Sequence, residues 1–257
     1  MCNFYALELY SVRDELKKDL WGTLRKVKKM GFDAVELFGE YDHTAQELRA
    51  ALDDTGLICC GWHTPWHYVQ PSSLLTTVTY NKVLGNTDIV IPSLPSERTC
   101  SKDAWLETAA MFERIADKLA DYGMHLGYHN HKAEFVELEG DIPFNYLFDN
   151  TKNIGMQLDN GNALSAGPKP DVYNALKRYP GRAKTIHLKP YSHEKGYNVM
   201  TGEDDIDWGK FFSLCYEYQD VEWFIIEYEA DSSLFPPMEG VERTLKALME
   251  MEEKGVI

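Results

Sequence analysis

The fold of this chain can be predicted from one repeated unit, seen first in Met30-Gly31-Phe32-Asp33-Ala34-Val35-Glu36-Leu37-Phe38. Helical periodicity ends just before it, and Gly31 readily adopts the left-handed conformation that closes a helix. The apolar run that follows has the length of a β-strand, and it carries a carboxylate, Glu36, near its end. The segment therefore predicts a helix, a glycine stop and then a strand with an acid towards its C-terminal end.

The same unit recurs along the whole chain. Strand-like runs begin near eight residues, namely Phe4, Asp33, Leu57, Thr87, Met124, Asn153, Arg182 and Glu222. Stripes with helical spacing lie between them: Leu16, Leu20, Leu24 and Val27; Trp105, Ala109, Phe112, Ala116 and Leu119; and Val241, Leu245 and Leu248. Gly56 and Gly123 precede strands in the way that Gly31 does. A regular alternation of strands with helices predicts an α/β protein with a parallel sheet.

Two of the strand-like runs, residues 89–91 and 224–226, are apolar throughout instead of alternating with polar residues. That pattern is typical of parallel strands covered on both faces by helices. Eight such units fit in 257 residues, close to the usual length of about 250 for one (β/α)8 barrel. We therefore predict that residues 1–257 form a single-domain (β/α)8 TIM barrel. An open doubly wound sheet is the alternative, although its dinucleotide-binding form is disfavoured because no GxGxxG motif occurs.

The charge of the chain limits the partners that it can bind. There are 41 acidic residues against 26 basic ones, which gives a formal net charge of -15. A field of that sign repels a phosphate backbone and so disfavours nucleic-acid binding. No segment approaches the roughly 20 apolar residues of a membrane span, and residues 1–4 do not resemble the start of a signal peptide. The sequence thus predicts a cytoplasmic protein that binds neither nucleic acid nor membrane.

The chain has five cysteines: Cys2, Cys59, Cys60, Cys100 and Cys215. Their number is odd and no CxxC pair occurs, so neither a disulfide framework nor a thiolate metal site is indicated. We expect reduced and mostly buried thiols, as is usual in a cytosolic protein.

Ionisable residues stand at the C-terminal ends of most predicted strands. In a (β/α)8 barrel these ends converge on one small volume, where active sites are built. Several ionisable groups at the mouth of an apolar barrel are costly unless something compensates them, and a divalent cation does so. We predict that one cation is bound by four side chains, one from each of strands 5 to 8: His129, Asp159, His187 and Glu227. Imidazole and carboxylate ligands suit manganese, our first expectation, and also zinc, cobalt or iron(II).

Other residues near the strand ends are candidates for binding a substrate. Residues two apart in a strand share a face, so His131 is expected beside the predicted ligand His129. The candidate substrate-binding residues are His131, Trp66, Phe38 and Asn160. Aromatic faces stack on the C–H surfaces of sugars, although Phe38 and Trp66 could equally fill the outer layer of the barrel. A small carbohydrate is therefore the expected ligand.

Five short motifs occur in an order that spans nearly the whole chain. They are Leu9-Tyr10-Ser11-Val12-Arg13-Asp14, Tyr128-His129-Asn130-His131, Leu158-Asp159-Asn160-Gly161-Asn162, His187-Leu188-Lys189 and Ile226-Glu227-Tyr228-Glu229. Their order and spacing resemble those of the xylose isomerase-like TIM-barrel superfamily, in particular its sugar phosphate isomerase/epimerase group. The resemblance implies a metal bound by the four predicted ligands. It also implies that His63 and Glu36 face the substrate.

The chain departs from the pattern of that superfamily at His129. Many members with isomerase or epimerase activity have a glutamate there, and their two glutamates, on strands 5 and 8, pass a proton between the faces of the substrate. An imidazole that is bound to a metal cannot easily serve as a base. Either another residue does that work, or the reaction is different. The candidates for the missing base are His63, Glu36, His131 and Lys189.

The reaction expected from such a site is proton abstraction next to a carbonyl, with the metal stabilising the enediolate that forms. Glu227 or Glu229 would remove the proton, and Lys189 or His63 would donate to the oxygen. Return of the proton to a neighbouring carbon, or to the opposite face, makes the enzyme an isomerase or an epimerase. A metal-dependent isomerase or epimerase of a sugar or keto-sugar is therefore the leading hypothesis.

Three other hypotheses remain open. A lyase or dehydratase acting on a keto-sugar or glycoside would use the same metal site for β-elimination, and the missing strand-5 glutamate favours it. A non-catalytic barrel that only binds a sugar predicts a site without metal. An AP endonuclease needs a metal cluster and a basic face, which the net charge of -15 disfavours. The sequence does not decide whether the chain forms a homo-oligomer.

Overall fold

Eight parallel strands form a closed barrel in the computed structural model, which describes residues 4–40, 42–167 and 172–257. The strands are β1 (Tyr5–Glu8), β2 (Ala34–Phe38), β3 (Ile58–His63), β4 (Asp88–Ile91), β5 (His125–His129), β6 (Ile154–Asp159), β7 (Thr185–Leu188) and β8 (Trp223–Ile226). Each strand pairs with the next along the chain, and β8 pairs with β1. The predicted (β/α)8 barrel is therefore confirmed.

Ten α-helices lie between or after the strands in the described residues. They are α1 (Arg13–Lys18), α2 (Leu20–Met30), α3 (Ala45–Thr55), α4 (Leu74–Leu84), α5 (Lys102–Ala120), α6 (Pro143–Phe148), α7 (Asn160–Ser165), α8 (Val172–Arg178), α9 (Trp208–Tyr218) and α10 (Pro237–Glu253). The predicted stripe of α5 is buried from Trp105 to Leu119, and that of α10 from Val241 to Leu248. These apolar faces form part of one continuous hydrophobic core.

The start of β7 differs from the sequence-based prediction. Seven strands begin one residue after the predicted position, whereas β7 begins at Thr185 instead of Arg182. The backbone N–H groups of Arg182 and Ala183 donate to Gln219 Oε1, at 3.1 and 3.0 Å, instead of to a neighbouring strand. The side chain that follows α9 therefore takes up these two N–H groups, while Arg182 O still accepts from Met156 N of β6 at 2.8 Å.

The first predicted stripe, from Leu16 to Val27, belongs to two helices and not to one. Asp19 lies between α1 and α2 with extended backbone angles, φ -158° and ψ 92°. Its carboxylate accepts a hydrogen bond from Gly22 N, which makes Asp19 the N-cap of α2. Aspartate favours this position because its side chain satisfies an N–H that the helix itself cannot. The capping preference thus interrupts an apolar pattern that alone predicts a continuous helix.

A glycine on β3 makes room for a buried acid inside the barrel. The pairing of β2 with β3 shifts register after Val35, which places Gly61 opposite Glu36. A Cβ at position 61 would lie 2.5 Å from Glu36 Oε1. No larger residue fits there unless the carboxylate moves.

We expect Gly61→Ala to lower the free energy of unfolding by about 1–3 kcal/mol, the usual cost of overpacking a buried site. Gly155→Ala is the matched control, because a Cβ on that barrel glycine would lie 3.6 Å from its nearest neighbours, an ordinary contact. Urea denaturation of both variants measures the difference. Equal stabilities would contradict the packing argument.

Four cysteines lie in the described residues, and all four are free thiols. Cys59, Cys60 and Cys215 are buried and Cys100 is exposed, in agreement with the prediction of reduced, mostly buried thiols. Cys2 lies outside the described residues. Within the described ranges, no helix is both long enough and apolar enough to cross a membrane.

Candidate metal centre and active site

The four predicted ligands lie together at the C-terminal end of the barrel. His129 and Asp159 are the last residues of β5 and β6. His187 lies within β7, and Glu227 immediately follows β8. One donor atom from each residue lies within 4.8 Å of the other three, and all four side chains are buried. Closure of the barrel therefore brings four separate strand ends to one point.

The chemistry and spacing of these donors fit a divalent cation. Two imidazoles and two carboxylates are a set that zinc, manganese, cobalt and iron(II) accept. His129 Nε2 lies 3.8 Å from Asp159 Oδ2, and His187 Nδ1 lies 2.8 Å from Glu227 Oε2. Two donors bound to one tetrahedral cation at about 2.1 Å are about 3.4 Å apart, so the observed distances lie on either side of that separation. Small shifts would bring all four donors to a common cation.

Asp159 is held in place through both its side chain and its backbone. It is the N-cap of α7, where Oδ1 accepts from Asn162 N at 2.7 Å and Oδ2 accepts from Asn162 Nδ2 at 3.0 Å. The side-chain amide of Asn130 accepts from Asp159 N at 2.9 Å and donates to Asp159 O at 3.1 Å. Such partners orient a carboxylate before a metal binds, as is usual around metal ligands.

His187 lies between two carboxylates. Its Nδ1 is 2.8 Å from Glu227 Oε2, and its Nε2 is 2.7 Å from Glu36 Oε2. Burial opposes protonation of this ring, but Glu36 and Glu227 outweigh burial and raise the pKa of His187 to about 10. In the absence of a cation the ring is therefore an imidazolium. After one proton is displaced by a metal, the other N–H still donates to a carboxylate, an arrangement that orients metal-bound histidines.

The other three ligands differ in the protons that they hold at neutral pH. Burial raises the pKa of Asp159 to about 7, although Lys189 opposes the shift. Burial would also raise the pKa of Glu227, but Lys189 and His187 outweigh it and keep that pKa well below its ordinary value. Burial and the neighbouring His187 lower the pKa of His129 well below its ordinary value. At neutral pH, Glu227 is therefore ionised, His129 is neutral and Asp159 is partly protonated.

We expect metal binding to release protons in a number that depends on pH. A coordinating imidazole must be neutral and a coordinating carboxylate ionised. His187 therefore loses a proton at any pH below about 10, and Asp159 loses another below about 7. Zinc binding should release about two protons near pH 6 and about one near pH 8.5, and its affinity should rise over that range. Calorimetric titration in buffers of different ionisation enthalpy counts these protons, and a number that stayed constant would contradict the assignments.

Lys189 and Glu229 form a charged pair beside the four ligands. Lys189 Nζ donates to Glu227 Oε1 at 3.1 Å and also to Glu229 Oε2. Burial alone would lower the pKa of Lys189, but the surrounding carboxylates, Glu227 first, outweigh it and raise that pKa well above its ordinary value. The side chain of Glu229 is 30% exposed, against 3% for Lys189. The pair therefore offers a permanent ammonium and a carboxylate that a solute in the mouth can reach.

A layer of hydrogen-bonded side chains lies beneath the ligands, centred on the fully buried Glu36. Glu36 Oε1 accepts from Gln157 Nε2 at 2.7 Å. Gln157 Oε1 in turn lies 2.6 Å from His63 Nε2 and 3.1 Å from His129 Nδ1. Glu8, at the end of β1, is also fully buried and pairs in register with Glu36. The layer thus connects the predicted ligands to strands 1, 2 and 3.

Glu8 and Gln157 are absent from the sequence-based candidates, although the sequence contains a signal for each. Leu7-Glu8-Leu9 repeats the apolar-acid-apolar pattern of Val35-Glu36-Leu37. Gln157 stands two residues before Asp159 and therefore shares its face of β6. The rule that places His131 beside His129 would have placed Gln157 in the site as well.

Two further groups of candidate ligands overlap the first, and both contain His63 and His187. The larger group adds Glu8 and Glu36. Both oxygens of Glu36 are already bonded, to His187 and to Gln157. Burial and the neighbouring Glu36 raise the pKa of Glu8 well above its ordinary value, which opposes the ionisation that a metal ligand needs. The four-strand set, in contrast, lies beside the part-exposed Glu229, where a (β/α)8 barrel places its active site, and is therefore the better cation site.

Two of the predicted substrate-binding residues lie next to the cluster. His131 follows β5, is exposed, and has its ring centroid 5.0 Å from that of His129. Asn160 is fully buried, and its Oδ1 accepts a hydrogen bond from Lys189 N at 2.9 Å. His131 is therefore open to a solute in the mouth, whereas Asn160 supports the end of β7.

The two predicted aromatic residues have aromatic neighbours of their own. Phe38 packs edge-on against Tyr10, with ring centroids 5.2 Å apart. Trp66 packs edge-on against Phe112, with ring centroids 5.8 Å apart. Both are only partly buried, so each keeps some surface for other contacts. Their contact with a sugar stays a prediction.

A groove beside His131 is large enough for a small substrate. Its volume is about 610 Å³, and Leu94, Trp105, His131 and Glu134 are among the residues that line it. Ligand sites for small molecules usually have volumes of about 300–1,000 Å³. Of the predicted site residues, His131 lines this groove and the four predicted ligands do not.

Comparison with known proteins gives the family of this chain. A family profile described as xylose isomerase-like TIM barrel matches residues 24–251. An inosose dehydratase of Clostridium botulinum is 23% identical in an alignment 271 positions long, gaps included, which covers 88% of this chain and 87% of that protein. The match thus extends over nearly the full length of both proteins.

Two solved structures share the fold. A sugar phosphate isomerase/epimerase from Parabacteroides distasonis has a TM-score of 0.82 at 19% identity, and the match covers 97% of this chain and 98% of that one. The IOLI protein, solved with a bound zinc atom, has a TM-score of 0.72 at 15% identity, with 98% of each chain covered. At sequence identities of 19% and 15%, the structural similarity shows only that the fold is shared.

Proposed function

Because the chain belongs to the xylose isomerase-like TIM barrel family, we propose that it is a metal-dependent dehydratase that removes water from a keto-sugar. One observation carries the proposal. The charged acid–base pair, Lys189 and Glu229, lies at the ends of β7 and β8, whereas the end of β5 carries an imidazole, His129, tied to Gln157. Elimination needs a base on one face of the substrate. Moving a proton from one face to the other, as an epimerase does, needs a base on each face.

The four ligands would bind one divalent cation per chain. When bound there, the cation would act as a Lewis acid that polarises the substrate carbonyl. The IOLI relative was solved with zinc, and the imidazole–carboxylate donor set also accepts manganese, cobalt and iron(II). Manganese and zinc are therefore the two ions to test first.

Glu229 is the proposed base. Its carboxylate takes a proton from the carbon next to the carbonyl, and the electrons of that C–H bond form the enediolate. Lys189, whose ammonium lies between Glu227 and Glu229, donates a hydrogen bond to the developing negative oxygen. Its fixed position means that little reorganisation is needed when the charge appears.

The second half of the proposed reaction uses the same face of the substrate. The enediolate reforms the carbonyl and expels the hydroxyl group of the next carbon. That hydroxyl takes the proton that Glu229 received in the first step and leaves as water. The overall change is the loss of one water molecule and the formation of one C=C bond, so no redox partner is required.

An isomerase or epimerase is the second candidate, and His131 is the observation that favours it. This histidine is exposed, and its ring is 5.0 Å from that of His129 at the end of β5. It is the side chain that could serve as a second base opposite Glu229. The inosose dehydratase relative supports the first candidate, and the sugar phosphate isomerase/epimerase structure supports the second.

Turnover of a panel of keto-sugars in deuterated water distinguishes the two candidates. The protein is purified, stripped of metal and reloaded with manganese or zinc. A dehydratase gives a product lighter than its substrate by one water molecule. An isomerase or epimerase gives a product of unchanged composition that carries solvent deuterium next to a carbonyl. Turnover that persists after complete removal of metal would contradict both candidates.

A further inference from the structure

We infer that Gln157 is a positioning residue that fixes His129 in the tautomer whose Nε2 is free to bind the metal. The inference rests on the proposed metal site and extends it to a residue that touches neither metal nor substrate. Gln157 is 1% exposed in the middle of β6 and makes four side-chain hydrogen bonds.

The orientation of the Gln157 amide follows from its acceptor-only neighbour. Gln157 has one side that donates, Nε2, and one side that accepts, Oε1. Glu36 Oε1 accepts from Gln157 Nε2 at 2.7 Å, and its other oxygen lies 2.7 Å from His187 Nε2, so the donating side of the amide faces this carboxylate. Nε2 also donates to Thr185 Oγ1 at 3.1 Å. A flipped amide would place two acceptor oxygens against each other in a buried site, which is costly.

The amide oxygen then determines where the histidine protons lie. Gln157 Oε1 is 3.1 Å from His129 Nδ1 and 2.6 Å from His63 Nε2. Because an amide oxygen has no proton to give, both of these ring nitrogens must carry one. A neutral His129 with its proton on Nδ1 has its lone pair on Nε2. That nitrogen lies 3.8 Å from Asp159 Oδ2, within the ligand cluster.

Gln157 and His129 therefore form a matched pair. A glutamate at position 129 would place a carboxylate against Gln157 Oε1, which also only accepts. Flipping the Gln157 amide so that Nε2 donates to that carboxylate would turn Oε1 towards the carboxylate of Glu36. The hydrogen-bonded layer beneath the site is thus built for an imidazole at the end of β5, and a carboxylate there would leave one acceptor pair unsatisfied.

The tautomer can be read directly in metal-free protein labelled with ¹⁵N-histidine. Long-range ¹H–¹⁵N correlation spectra distinguish a protonated ring nitrogen from an unprotonated one, and His129→Gln assigns the signals. We expect His129 to carry its proton on Nδ1 in the wild-type chain and to lose that preference in Gln157→Met. Zinc affinity of Gln157→Met, measured by competition with a chromophoric chelator, should fall about 10–100-fold, as for other groups that orient metal ligands.

Gln219→Met is the matched control, because Gln219 is also a buried glutamine with four hydrogen bonds. Its partners are the backbone atoms Arg182 N, Ala183 N, Leu176 O and Tyr179 O. The control loses the same kind of bonds, so its stability should fall in a similar way. Its zinc affinity and the His129 signals should stay as in the wild-type chain, which separates positioning from a general loss of stability.

Two results would overturn the inference. One is a wild-type His129 with its proton on Nε2, which is decisive even if Gln157→Met does not fold. The other is a Gln157→Met variant that binds zinc as tightly as Gln219→Met. The tautomer is read without metal or substrate, so a wrong tautomer overturns this inference alone. A wild-type chain that takes up no divalent cation contradicts the proposed function instead.

Discussion

Asp159→Asn should bind zinc at least about 100-fold more weakly than the wild-type chain and should lose nearly all metal-dependent turnover. Asparagine is as good an N-cap as aspartate, so the oxygen that accepts from Asn162 N can be kept. The substitution removes the negative charge that would bind the cation, and it also removes the acceptor of one bond from Asn162 Nδ2, which keeps its bond to Asn130 O. Chelator competition measures the affinity, and elemental analysis of the purified variant measures metal retention.

The same variant should be no less stable than the wild-type chain when metal is absent. Burial raises the pKa of Asp159 to about 7, above the ordinary value of about 3.9. An acid with a raised folded-state pKa costs stability increasingly as the pH rises from its unfolded towards its folded pKa. At about pH 8 the wild-type chain bears this cost and the asparagine variant does not. Thermal unfolding at that pH should show a zinc-dependent rise in Tm for the wild-type chain only.

Asp207→Asn is the control for this experiment. Asp207 is the N-cap of α9 and accepts from Lys210 N at 3.0 Å, so it makes the same kind of cap without belonging to the ligand cluster. Its zinc affinity should equal that of the wild-type chain. Equal losses of affinity in the two variants, or wild-type affinity in Asp159→Asn, would show that Asp159 is not a ligand.

Glu229→Gln should retain one metal per chain while its kcat falls by about 10²–10⁴-fold, the usual contribution of a general base. The amide has nearly the shape of the carboxylate but cannot accept a proton. Metal affinity should change little, because Glu229 is not among the four ligands and Lys189 keeps its bond to Glu227. Steady-state kinetics together with metal analysis separates this outcome from that of a ligand variant.

Glu222→Gln is the control for the base. Glu222 precedes β8, its side chain is 58% exposed, and it forms an ion pair with Lys184 at 3.0 Å. Loss of this ion pair should leave kcat unchanged, because exposed ion pairs contribute little to the stability of the fold. If Glu229→Gln retained kcat within about threefold of the wild-type value, another residue would have to be the base, and His131 would be the next to test.

Most of the barrel could be predicted from sequence because the signals are local. Gly31 and Gly56 take positive φ angles of 115° and 67°, as glycines that end helices do. The apolar runs that follow such glycines begin strands where expected. The exceptions depend on particular side chains: Asp19 caps a new helix inside an apolar stripe, and Gln219 accepts from the N–H groups of Arg182 and Ala183 before β7.

The candidate site was predictable only in part. The fold rule that strand ends converge is enough to bring His129, Asp159 and His187 to one place. It does not reveal which partner each side chain chooses across the barrel. The bonds of Gln157 to Glu36 and His129 depend on residues 121 and 28 positions away, and no sequence pattern encodes such pairs. The tautomer that we infer for His129 follows from those bonds, so it could not be deduced from the sequence.

The most direct test is anomalous diffraction from crystals of the protein loaded with zinc. The account predicts a single strong peak with one donor atom of each of His129, Asp159, His187 and Glu227 within about 2.0–2.2 Å. A peak bound instead by Glu8, Glu36 and His63, or no peak at these strand ends in zinc-loaded crystals, would contradict it.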